Sequence, residues 1–133
     1  MDKNNIEKQI KSILVDYDQI KLAFMFGSFV NRGFHENSDI DIAVAGREKL
    51  DYGLMVEIQN KLSKNLEREV DLLDFNKLNG LILKQILTGG KLIVNKDSSL
   101  YAELIKRMLE FQEDIFPNIK SIYKTRVKRF ING

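Results

Sequence analysis

A chain of 133 residues, 44% hydrophobic and 30% charged, is long enough for one core and ordinary for a soluble globular domain, which excludes disordered and fibrous classes. It has no cysteine and one histidine, so disulfides, thiolate chemistry and a zinc cluster are excluded. The polar start Met1–Asn5 lacks a signal-peptide core and no apolar run approaches membrane-spanning length, so a cytoplasmic protein is expected.

Ile6, Ile10, Ile13, Leu14 and Tyr17 recur at helical spacing, which predicts an amphipathic helix over 4–17. Ile20 to Phe26 read as the first strand, ending at Gly27. A short helix is predicted from Ser28 to about Arg32-Gly33. A polar loop then leads to a second strand over Ser38–Ala45, which Gly46 breaks. Leu50, Leu54, Met55, Ile58, Leu62 and Leu66 form one stripe, so a helix is predicted over about 49–65. Glu69–Phe75 read as the third strand. A helix over Lys77–Leu87 should be capped by Gly89-Gly90, with a short fourth strand over Lys91–Val94. Asp97, Ser98 or Ser99 can cap a long helix that Pro117 ends or kinks near Phe116, with helix resuming to about 131. The result is one α/β domain, 1–133, with a core over 1–96 and a helical C-terminal extension over 97–133.

The chemistry concentrates in two short segments. In Ser38-Asp39-Ile40-Asp41-Ile42-Ala43-Val44, strand alternation puts Asp39 and Asp41 on one face and Ile40 and Ile42 on the other. Two such anions repel unless a cation neutralises them, and hard carboxylate oxygens favour Mg²⁺ shared with substrate phosphates. Upstream, Gly27 and Ser28 end an apolar strand, where glycine admits a phosphate to the backbone and serine can help hold it. Four fixed residues at fixed spacing arise by chance in roughly one of several hundred chains this long, so the pattern alone is moderate evidence against a solvated strand face and an ordinary turn. A third acid strengthens it. Asp71 lies among Val70, Leu72 and Leu73 and reads as half-buried, whereas Asp74 reads as a cap for the next helix. A phosphate-gripping turn and a metal-gripping acid pair point to phosphoryl or nucleotidyl transfer.

From Gly27-Ser28-Phe29-Val30-Asn31-Arg32-Gly33 through Asp39-Ile40-Asp41, the chain resembles the DNA polymerase β-like nucleotidyltransferases. It looks most like their minimal branch, the MNT antitoxins paired with HEPN toxins. The resemblance extends over Val70–Phe75, Ile86–Val94 and the C-terminal helical tail. It implies a small mixed sheet flanked by helices. It implies that Asp39 and Asp41 hold two Mg²⁺ ions, and that Asp71 holds the one near the acceptor and helps deprotonate the attacking hydroxyl. Gly27 and Ser28 would bind the β- and γ-phosphates of ATP; Arg32, on the same segment, either contacts phosphate or is a solvated arginine. AMP would pass to a tyrosine hydroxyl of the cognate HEPN ribonuclease and silence it, with the C-terminal helices docking that partner.

Other readings stay open on the residues. Lys120, Lys124, Arg126, Lys128 and Arg129 give residues 118–133 a charge of +5, which leaves −3 on the rest of a chain whose net charge is +2. That tail suits an anionic partner such as RNA, or is a solvated helix end. The apolar run Phe111, Ile115, Phe116, Ile119, Ile122 and Phe130 either packs on the domain or docks a partner. Transfer to an aminoglycoside-like small molecule, transfer to a nucleic-acid end, and neutralisation by binding alone are the competing functions. His35 reads as a loop residue.

Overall fold

The computed structural model describes residues 3–27 and 39–115, the last four as backbone only. The expected helix after Ser28 and the helix beyond Pro117 lie outside the described residues. So do Ser28, Arg32 and His35.

In chain order the elements are α1 (Lys3–Leu14), β1 (Leu22–Phe26), β2 (Ile40–Ala45), α2 (Tyr52–Leu66), β3 (Val70–Asp74), a 3₁₀ turn (Phe75–Lys77), α3 (Gly80–Gly89), β4 (Lys91–Asn95) and α4 (Ser98–Ile115). The four strands form one mixed sheet in the order β3-β2-β1-β4. β1 is antiparallel to both of its neighbours, while β2 and β3 are parallel, with α2 as the crossover between them.

Alternation along the strands divides the core in two. Ala23, Met25, Ile40, Ile42, Val44, Val70 and Leu72 face α1 and α2, where they meet Ile6, Ile10, Leu14, Ile58, Leu62 and Leu66. Leu22, Phe24, Ala43 and Ala45 face α3 and α4, where they meet Phe75, Leu83, Ile86, Leu100, Leu104 and Met108. The sheet is therefore covered on both faces, and β2 reads as a nearly continuous apolar run interrupted only by Asp41. The start of the C-terminal extension belongs to this core. Phe111 lies so close to Gly80, at the start of α3, that an added Cβ would run into its ring.

Local chemistry sets the helix ends. Asp97 caps α4 by accepting from Leu100 N–H at 3.0 Å. Its carboxyl is held below the usual carboxylate range, first by Arg47 (2.6 Å) and then by that N–H. Asn79 caps α3 by accepting from Ile82 N–H at 3.1 Å, so the helix begins later than the predicted Lys77 and the 3₁₀ turn takes its place. α3 runs through Gly89, and Gly90 closes it with an ordinary φ of −83° and an N–H bond to Ile86 O at 2.9 Å.

This topology collects the catalytic candidates at one end of the sheet. The C-terminal end of β1 lies beside the N-terminal ends of β2 and β3, because β1 is antiparallel to β2 and β2 parallel to β3. Gly27, Asp39, Asp41 and Asp71 all sit at that end.

Candidate active site

Asp41 and Asp71 are direct register partners across the parallel β2–β3 pair. Neighbouring strands lie about 4.8 Å apart, so the two side chains project together from one face. Asp39, two residues before Asp41, shares that face just outside the strand and is exposed, whereas Asp41 is half-buried. On its other side Asp41 pairs in register with Phe26, the last residue of β1. That ring is a neighbour the sequence did not flag. Its position just before Gly27 was the available signal.

The electrostatics follow from this packing. Burial is the first cause that raises the Asp41 pKa above its ordinary value. The charges of Asp71 and then Asp39 push in the same direction, and a hydrogen bond with Asp71 adds to them. Protonated Asp41 donates to the Asp71 carboxylate, and ionised Asp41 faces two like charges.

Gly27 stands directly over this group. Its φ of +81° lies in the left-handed region. A Cβ there would fall inside the closest approach to Asp41 Oδ2 and 3.3 Å from Asp41 Cγ. The glycine thus keeps the end of β1 and the Asp41 carboxylate in close contact.

One sequence expectation about the acids changes, and the reading of Asp74 as a cap holds. Asp71 is exposed rather than half-buried, because β3 is the sheet edge and Asp71 lies near its start. The buried acid is Asp74, 5% exposed, which accepts from Asn76 N–H at 3.0 Å and caps the 3₁₀ turn. Asp74→Ala is therefore expected to lower stability by about 1 kcal/mol through the lost cap. Asp71→Asn should leave the melting temperature at or above the parent's while lowering catalysis. Thermal melts of the two variants check the assignment, and the opposite ranking would exchange their roles.

Among the described residues no three His, Cys, Asp or Glu side chains are gathered closely enough to hold a metal ion. The expected ligand set Asp39, Asp41 and Asp71 is thus not a preformed three-carboxylate cage. The donor set still fits Mg²⁺, which is commonly held by one or two carboxylates together with substrate phosphates. The absence of a Cβ at Gly27 leaves room for the Asp41 carboxylate at the end of β1.

The model of the family described as "Polymerase beta, Nucleotidyltransferase" matches residues 8–99, which contain all of these acids. The chain belongs to the polymerase β nucleotidyltransferase family. Among its relatives, the protein adenylyltransferase MntA of Shewanella oneidensis is 34% identical over 104 residues, 77% of this chain and 75% of that protein. The crystal structure of a toxin–antitoxin with AMP-PNP superposes with a TM-score of 0.69 at 30% identity, over 88% of this chain and 98% of that one. The structure of a tri-AMPylated Shewanella oneidensis HEPN toxin in complex with MNT antitoxin matches with a TM-score of 0.66 at 27% identity, over 90% and 98% of the two chains. The chain is thus a nucleotidyltransferase and a homologue of a protein adenylyltransferase. No helix among its described residues is long and apolar enough to cross a membrane.

Proposed function

We propose that this nucleotidyltransferase is an antitoxin of the cytoplasm that transfers AMP from ATP to a tyrosine hydroxyl of a cognate HEPN-family toxin and so neutralises it. The observation that carries this is the register pairing of Asp41 with Asp71 under Gly27. Two acids and a glycine backbone share one small volume, which supports reading them as metal ligands beside a phosphate-admitting turn. The complexes of related chains supply the class of partner.

Asp39, Asp41 and Asp71 would hold Mg²⁺, as two ions, together with the nucleotide phosphates. Bound there, the metal would neutralise phosphate charge and stabilise the entering and leaving oxygens. Gly27 admits the β- and γ-phosphates to the backbone, and Ser28 and Arg32 complete their binding. Asp71, exposed on the edge strand, faces the side from which an acceptor can approach and takes the hydroxyl proton. The acceptor oxygen bonds to the α-phosphorus, the bond to the bridging oxygen breaks, and pyrophosphate leaves with that electron pair. The protein's task is positioning and charge placement rather than covalent catalysis.

The domain is assigned as a core over 1–96 and an extension over 97–133 whose helices dock the toxin. Intact mass of the co-expressed HEPN-family protein, before and after ATP and Mg²⁺, tests the function. Gain of one or more AMP units, lost in Asp39→Ala and Asp41→Ala, is the expected result. A bound partner of unchanged mass would favour neutralisation by binding alone.

A further inference from the structure

Among the described residues, Asp71 sits on a strand with only one neighbouring strand. β3 is the edge of the sheet, so only its β2 side is tied by ladder hydrogen bonds. Ile40 N–H donates to Glu69 O at 3.0 Å, which sets the alternation of the parallel pair. The backbone groups of Glu69, Asp71 and Leu73 face β2, and those of Val70, Leu72 and Asp74 face outward. On that outward side the Leu72 N–H donates to Gln59 Oε1 at 3.0 Å. Gln59 comes from α2, thirteen residues away in sequence and half-buried at the margin of the Ile58–Leu62 stripe. It lines a groove of about 370 Å³ between α2 and β3, with Tyr52, Met55, Val56 and Leu72.

We infer that Gln59 is a positioning residue for Asp71: its side-chain oxygen stands in for the missing neighbour strand and clamps Leu72, the residue next to Asp71, against α2. Leu72 is then fixed twice. Its side chain is 8% exposed in the core under α2, and its N–H is held by Gln59. Because strand residues alternate, fixing Leu72 toward α2 fixes Asp71 on the opposite face, level with Asp41. A slip of one residue at the edge would turn Asp71 away from the metal ligands. Gln59 does not touch the reacting groups. It acts through the strand that carries one of them, as outer-shell hydrogen bonds orient ligands elsewhere.

The inference rests on Asp71 being a metal ligand, and the test separates the two claims. Mn²⁺, visible by electron paramagnetic resonance, is titrated into the full chain with AMP-PNP present. Gln59→Leu is expected to weaken Mn²⁺ binding about tenfold, the range seen for lost outer-shell partners. Its melting temperature should stay near the parent's, since water in the open groove can take the Leu72 N–H. Gln59→Glu keeps an acceptor oxygen at the same reach and should bind Mn²⁺ close to the parent. Parent-like affinity in Gln59→Leu overturns the inference, as does an equal loss in both variants. If Asp71→Asn binds Mn²⁺ like the parent, Asp71 is not a ligand and both claims fall. If Asp71→Asn loses affinity and Gln59→Leu does not, only the positioning role falls.

Discussion

Asp41→Asn is expected to abolish AMP transfer, by roughly a thousandfold or more, and at the same time to raise the melting temperature of the metal-free protein at neutral pH. The two effects have one cause. Asp41 is half-buried between Phe26 and Asp71, with Asp39 on the same face. Burial and the two like charges raise its pKa in the folded state. Below the ordinary carboxylate range Asp41 is protonated both folded and unfolded, so it has no differential effect. Between the ordinary value and the raised one, the folded state binds more protons than the unfolded state. Stability therefore falls as pH rises through that window, and at neutral pH the ionised side chain carries the full cost. Asparagine keeps the shape and removes the charge. The variant should melt a few degrees higher than the parent at pH 7, and the gap should close as pH falls below the ordinary carboxylate range. Mg²⁺ with AMP-PNP should close it from the other direction, because ligand binding stabilises only the chain that can hold it. Melting curves at several pH values, with and without Mg²⁺, check this. A variant that melts lower at pH 7 without metal would show that Asp41 is held by favourable partners and not strained by its neighbours.

The legible parts of this molecule are those where period and chemistry coincide. Ile40, Ile42 and Val44 alternate with Asp39 and Asp41, so strand, faces and acid pair are readable from six residues, and all are present. The Ile58–Leu62–Leu66 stripe likewise gave α2 to within a few residues of its ends. What failed depends on neighbours remote in sequence. The exposure of Asp71 follows from β3 being the edge strand, and no local pattern states which strand lies at an edge. The Gln59–Leu72 bond joins a helix to a strand, and a polar residue beside an apolar stripe looks the same whether or not it meets a backbone N–H. The start of α3 was misplaced for a different reason. Lys77 and Leu78 have helical propensity, but Asn79 supplies the cap and Asp74 turns the intervening residues into a 3₁₀ turn. α2 ends on Glu67 in a left-handed conformation, φ 51°, where a glycine would have announced the stop.

Gly27→Ala should damage both stability and catalysis, and a second substitution can tell its two causes apart. The first cause is intrinsic. At φ +81° an alanine pays the left-handed penalty of about 1–2 kcal/mol wherever it sits. The second is specific to the site. The new methyl would overlap Asp41 Oδ2, and Cγ would lie at only 3.3 Å, so the carboxylate must rotate or the end of β1 must move. Either response displaces the group that faces Asp71. Misplacement on the order of 1 Å is enough to lower a positioned reaction about a hundredfold. Total destabilisation of roughly 2–3 kcal/mol is expected by chemical denaturation. Asp41→Ala removes the carboxylate and leaves only Cβ, at 3.6 Å from the added atom, an ordinary contact. In that background the Gly27→Ala loss should shrink to the backbone penalty alone. The difference between the two backgrounds is the coupling energy between turn and acid. Equal losses in both would mean that Gly27 is needed only for its backbone angle. A smaller loss beside Asp41→Ala would mean that the close approach of backbone and carboxylate is what the glycine is there to permit.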